Sequence, residues 1–136
     1  MAGAPQDIPD GGFAGFVGMQ DYAAEDDGTL RAAVPVRGEL LQPFGLVHGG
    51  VYAAIAETLA SIGTYVGVQE QGLLAMGLSN STSFLRPITQ GTIHAVARPI
   101  HRGRTTWLWD VECADDEGRV CAITRMTIAV RPPRES

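Results

Sequence analysis

The sequence contains no lysine: all ten of its basic residues are arginine, against fifteen acidic residues and a formal net charge of −5. That deficit of positive charge argues against a general nucleic-acid binder, which needs a basic face. Eight of the ten arginines lie at or after Arg86, so a local basic patch remains compatible with the acidic whole. Arginine suits phosphate recognition. Cysteine is scarce, with Cys113 and Cys121 flanking the turn Asp115-Asp-Glu-Gly118, where they could face each other across a hairpin. The N-terminus lacks the basic region and apolar run of a signal peptide, so reduced thiols and a cytoplasmic location are expected. No uninterrupted apolar run reaches the roughly 18 residues of a membrane span, and no membrane partner is expected. The three histidines (His48, His94, His101) are dispersed and no Cys-x-x-Cys occurs, so no metal site is expected. Glycine-rich phosphate loops of the Walker or dinucleotide type are missing as well.

What is present fits one globular domain: 136 residues, 45% hydrophobic, 18% charged. Residues 1–12 are rich in Pro, Gly and Asp and read as a flexible lead-in, leaving 13–136 as the domain. Residues 13–22 suggest a short strand or a broken helix. In 29–40, Leu30, Ala32, Val34 and Val36 alternate with Arg31 and Arg37, the pattern of a half-buried strand. A loop at 42–46 leads into a helix over about 47–66, and a break follows at Glu70-Gln-Gly72. Four further strands are expected at 73–85, 92–101, 105–114 and 119–130, joined by hairpin-like connections. One helix followed by long antiparallel strands gives an α+β class.

The helix has an unusual polar face. Val47, Val51, Ile55, Leu59 and Ile62 gather on one side, and Gly50, Ala53, Glu57, Ser61 and Thr64 on the other. Glu57 is the segment's only charged residue. A solvated face would carry several long charged side chains, so something packs closely here, either a second chain or a ligand. A carboxylate in that setting is paired, hydrogen-bonded or protonated. It is then either a structural Glu bonded to backbone or Ser61, or a functional acid. Gly49 and Gly50 place unsatisfied N–H groups at the helix start, where close approach of a ligand is easy. Together they make an oxyanion-type donor about two turns from a carboxylate, a combination suited to attack on a carbonyl.

The motif Gly45-Leu-Val-His-Gly-Gly50 followed by Ala56-Glu57-Thr-Leu-Ala60 resembles the hotdog-fold acyl-CoA thioesterases. The likeness is narrowest to the 4-hydroxybenzoyl-CoA thioesterases that use a helix glutamate. It extends through Asn80-Ser-Thr-Ser-Phe-Leu-Arg-Pro87, Thr105-Thr-Trp-Leu-Trp-Asp110 and Ile128-Ala-Val-Arg-Pro132. The resemblance implies one long central helix wrapped by a curved antiparallel sheet, and a homodimer that associates further into a homotetramer. It implies hydrolysis of an acyl-CoA, of aromatic type, with no cofactor because coenzyme A belongs to the substrate. Glu57 matches the catalytic carboxylate, as nucleophile or as general base. The Gly49 N–H matches the group that polarises the thioester carbonyl, and Gln42 a loop glutamine that orients it from the neighbouring subunit. Ser61 stands where threonine is common and keeps the hydroxyl one turn from Glu57. His48 is a candidate catalytic base, but it reads chiefly as a structural residue whose ring holds the turn. Arg86, Gly50 and the turn bearing Arg104 and Thr105 match stretches that hold the nucleotide, with Arg104 where the pattern has serine. Trp107 and Trp109 share a strand face and read as packing.

Two rival functions follow from the same residues. A hotdog hydratase would need an acid–histidine pair, and the helix offers no histidine after His48. A non-catalytic acyl-CoA binding module would need no acid, whereas Glu57 is present.

Overall fold

The computed structural model describes residues 11–134. A short helix α1 (Gly12–Val17) precedes strands β1 (Gln20–Ala24) and β2 (Leu30–Pro35). The long helix α2 (Gly49–Val68) then leads to strands β3 (Leu74–Phe84), β4 (Thr92–Arg102), β5 (Thr106–Ala114) and β6 (Val120–Arg131). All six strands form one antiparallel sheet in the order β1-β2-β4-β5-β6-β3, with α2 packed across one face. The α+β arrangement of one central helix on an antiparallel sheet is the one expected.

Period-two patterning places the core. Leu30, Ala32 and Val34 of β2, Ile93, Ala95 and Ala97 of β4, and Trp107, Trp109, Val111 and Cys113 of β5 all point at the helix. From above, α2 answers with Val51, Tyr52, Ile55, Ala56, Leu59, Ala60, Thr64 and Val68. The helix seats deeply because Gly63 and Gly67, one turn apart, lie on the stacked indoles of Trp109 and Trp107. A Cβ at either glycine would stand 2.3 Å from an indole carbon. Between them Trp109 Nε1 donates to Thr64 Oγ1 (2.8 Å), which donates to Ala60 O (2.8 Å). The tryptophans are thus core, as their shared face suggested.

Several boundaries differ from the sequence reading. Helix α2 starts at Gly49, two residues later than expected, because Val47 is held by a bridge to Leu41 and by its N–H to Ile88 O. Strand β2 stops at Pro35, and Gly38–Leu40 forms a 3-10 turn instead of continuing it. The segment 13–22 holds both alternatives in turn, α1 and then the start of β1. Thr64 faces the core, not the Glu57 side, since its hydroxyl takes the Trp109 proton. Ile62 is only half-buried. The expected lead-in at 1–12 lies outside the described residues except for Gly11 and Gly12, and Gly12 already belongs to α1. The stretch Gly49–Gln71 is long and apolar enough by mean hydropathy to cross a membrane, although polar residues such as Glu57 interrupt it. Here it is the core helix of the sheet. Both cysteines are buried free thiols.

Candidate functional site

The site is laid out along α2 and the edge strand β3, which run side by side in opposite directions. Phe84 stands at Gly49, Asn80 at Ala53, and Gly77 at Glu57. At the first of these, a Cβ on Gly49 would meet the Phe84 ring at 2.7 Å, so glycine is what lets the strand close on the helix start.

His48 caps the helix: its Nδ1 accepts the Gly50 N–H at 2.8 Å, and its carbonyl accepts the Val51 N–H at 2.9 Å. The ring therefore holds the turn, and Gly50 has spent its donor within the chain. Gly49, as the first helical residue, has no intrahelical acceptor for its own N–H. In the preceding loop the Gln42 carbonyl accepts from Gly45 N (3.0 Å) and its N–H donates to Leu46 O (2.8 Å). The Gln42 side chain folds back so that Oε1 accepts the Phe44 N–H. That contact fixes the amide's orientation and leaves its NH2 group as the outward donor.

Gln42, Gly49, Tyr52, Phe84 and Arg86 line one groove of about 500 Å³ at the helix start. Arg86 is exposed at its rim, next to the end of β3. The Tyr52 hydroxyl at the base has no hydrogen-bond partner among the described residues. Burial, with the nearby Cys121 and Cys113 thiols, pushes its pKa up to about 12. The Ile88 backbone approaches it without closing a hydrogen bond. Tyr52 and Phe84 also meet ring to ring, with centroids 6.2 Å apart. Neither aromatic stood out in the sequence, because Tyr52 reads as one apolar helix residue among many.

Glu57 sits outside that groove. It lies eight positions after Gly49, which at about 1.5 Å of rise per residue separates the two by roughly 12 Å along the helix. Its carboxyl lies over Gly77 of β3, where a Cβ would be 3.4 Å from Glu57 Cδ. Glu57 is exposed in the single chain, where the sequence expects a second chain or a ligand to cover it. No described residue of this chain buries it. Ser61 follows one turn later, half-buried. Arg104 and Thr105 are exposed at the turn between β4 and β5. The Thr105 carbonyl accepts from Val130 N (2.9 Å) and Arg131 Nη1 (3.0 Å). Through β5 and β6 that turn neighbours Leu74, at the C-terminal end of α2. So Arg86 and the Arg104–Thr105 turn stand at opposite ends of the helix and form no single patch within one chain. No group of three or more His, Cys, Asp or Glu residues suited to a metal occurs among the described residues.

One residue quoted in the sequence motif had a role that the motif did not reveal. Asn80 Nδ2 donates to Ala53 O of α2 (3.0 Å), and Asn80 Oδ1 accepts from Thr82 Oγ1 (2.8 Å).

The sequence profile of the thioesterase superfamily matches residues 44–122. A protein from Pseudomonas aeruginosa described as an esterase is 41% identical over 111 residues, covering 82% of this chain and 77% of its own. The 1,4-dihydroxy-2-naphthoyl-CoA hydrolase of Escherichia coli is 32% identical over 121 residues, covering 89% and 88%. Among solved structures, a mutant thioesterase from Pseudomonas aeruginosa superposes with a TM-score of 0.85 at 35% identity, covering 94% of this chain and 98% of that one.

Proposed function

Because the chain belongs to the thioesterase superfamily, and is a thioester hydrolase of hotdog fold, we propose that it hydrolyses an aromatic acyl-CoA with Glu57 as its catalytic carboxylate. The observation that carries this reading is the α2–β3 layout. It joins a free helix-start N–H, an oriented glutamine amide and an arginine around one groove, with a single carboxylate further along the same helix. An acyl-CoA offers what these groups bind: a carbonyl for the N–H and the amide, and phosphates for arginine. The aromatic acyl group is supported by the naphthoyl-CoA hydrolase among the relatives.

A separation of roughly 12 Å along one helix is too great for Glu57 and Gly49 to act on the same carbonyl carbon. The site is therefore completed by a second copy. Strand β3 is an edge strand with Met76 (53%), Leu78 (62%) and Phe84 (59%) exposed. Such an edge invites pairing with another strand. Two-fold antiparallel pairing of β3 with itself brings the start of one α2 beside the far end of its neighbour's. That arrangement covers Glu57 and sets the Arg104–Thr105 turn of one copy near the Arg86 groove of the other. Further association of dimers into a homotetramer is part of this proposal.

In the reaction the Gly49 N–H and the Gln42 amide hold the carbonyl oxygen as it becomes an oxyanion. Glu57 either attacks the carbonyl carbon, expelling the CoA thiolate and leaving an anhydride that water opens, or takes a proton from water that attacks directly. Ser61 is placed to orient the carboxylate or the water.

The test is thiol release from a panel of aromatic and aliphatic acyl-CoAs by the parent and Glu57→Gln. We expect rapid release from benzoyl- or hydroxybenzoyl-type thioesters and a loss of at least about 10³-fold in kcat in the variant, with little change in KM. Binding without thiol release by the parent would instead support an acyl-CoA binding module.

A further inference from the structure

We propose that Asn80 is a positioning residue for Glu57, acting through a polar clasp between β3 and α2 and a bulge that aims glycine at the carboxylate. This rests on Glu57 being the catalytic acid.

The Ala53 carbonyl is the helical acceptor of the Glu57 backbone N–H, four residues on. Asn80 Nδ2 gives the same carbonyl a second donor from outside the helix (3.0 Å). The helical turn that leads from Ala53 to Glu57 is thereby tied sideways to the strand that forms the site's wall. The clasp is anchored behind Asn80 as well. Thr82 Oγ1 donates to Asn80 Oδ1 (2.8 Å), and Thr82 also meets Thr124 Oγ1 of β6 at 2.9 Å. Since a hydroxyl has one proton and Thr82 spends its own on Asn80, Thr124 is the donor in that last contact. The chain Thr124–Thr82–Asn80–Ala53 runs from an inner strand through the edge strand to the helix, with every direction fixed. It also fixes which side of the Asn80 amide faces α2.

The register of β3 supports the same role. Asn80, Thr82 and Phe84 share its inward face, and unbroken alternation would continue that face through Leu78 and Met76. The pairing with β6 shifts between Gly77 and Ser79. The extra residue reverses the parity upstream, so that Gly77 faces Glu57 and Leu78 and Met76 turn outward. An unbroken strand would put a leucine against the carboxylate. The bulge puts an open glycine there, leaving a path for water or the acyl carbon, and Asn80 pins the strand just beyond it.

The charge environment is simple. No ionisable side chain lies on β3 itself, and Glu57 is the only carboxylate on α2. On β6, Arg125 pairs with Asp110 of β5, and Arg131 bonds the Thr105 carbonyl.

The experiment compares the parent, Glu57→Gln, Asn80→Ala and Asn80→Asp in the oligomer as purified, recording kcat, KM, pH profile and melting temperature. Asn80→Ala is expected to lower kcat about tenfold or more at nearly unchanged KM, with the acid limb of kcat where the parent has it. Asn80→Asp adds a negative charge one helical turn from Glu57, so its acid limb should move to higher pH. A purely structural role would lower the melting temperature and leave both kcat and the limb in place, and that result overturns the proposal. If Glu57→Gln keeps turnover, the catalytic assignment itself fails. If Glu57→Gln is inactive while both Asn80 variants stay within about twofold of the parent, the assignment stands and the clasp is not a positioning device.

Discussion

At the scale of single residues, the chemistry of this chain turns on groups whose only ready partners come from packing. Thr64 is the clearest structural case. Its hydroxyl is the acceptor for a fully buried indole N–H. Thr64→Val keeps the shape and orphans that donor, so we expect a loss of about 1–3 kcal/mol, read as a lower urea midpoint at unchanged slope. Cys113 offers a pH test. Burial, with Cys121 beside it, pushes its pKa up to about 12. A thiol with a raised folded pKa contributes stability that is complete below its unfolded value and is lost as pH climbs towards the folded one. The window runs from roughly 8.5 to about 12. Within it Cys113→Ala should lose stability less steeply with pH than the parent, by up to about 1.4 kcal/mol per pH unit, in denaturation curves collected at several alkaline pH values. The same burial predicts that the folded protein reacts slowly with maleimide at neutral pH and the denatured one at once.

At the scale of elements, the decisive contact is α2 on β5. Alanine is a better helix former than glycine by about 1 kcal/mol, yet Gly63→Ala should destabilise. The added Cβ would fall 2.3 Å from an indole carbon of Trp109, which is fully buried and has nowhere to retreat. Overpacking of this kind costs about 1–3 kcal/mol, and the displaced helix carries Glu57 with it. Gly15 in α1 provides the opposite sign. A Cβ there meets nothing within 4 Å, and its φ is not in the left-handed region. Gly15→Ala should therefore stabilise by about 0.5–1 kcal/mol. Thermal melts of the two variants side by side check both directions. This seat was not legible beforehand. Gly63 and Gly67 look like weak points in a helix until two tryptophans from a strand some 40 residues later are placed beneath them.

At the scale of the whole molecule, the proposed site requires two copies of the chain. Leu78→Lys puts a charge in the middle of the exposed β3 edge, so the variant should elute as a monomer and lose turnover together. Complementation tests the same point without disrupting the fold. Gln42→Ala and Glu57→Gln subunits, each poorly active alone, should regain activity when co-expressed. In a mixed dimer with sites shared between chains, one site has both defects and the other has none. Two variants whose defects lie within one chain's own site would show no recovery.

Much of this protein was decided by the order of residues alone. Alternation fixed which face of β2 turns inward and set Trp107 and Trp109 on one face of β5, and 3.6-residue periodicity fixed one long amphipathic helix with one carboxylate on it. Both patterns are local, so neither needs knowledge of distant neighbours. The groups of the candidate site from Gln42 to Ser61 were named by family resemblance, and the helix start dictates where Gly49 and His48 must lie. Tertiary structure decided what those groups face. It turned Thr64 inward to meet Trp109 and set the Arg104 turn at the far end of the helix from Arg86. It also inserted the bulge at Leu78 that brings Gly77 to Glu57 and Asn80 to Ala53. These outcomes depend on register between segments far apart in the chain, and a shift of one residue in a strand reverses every side chain beyond it.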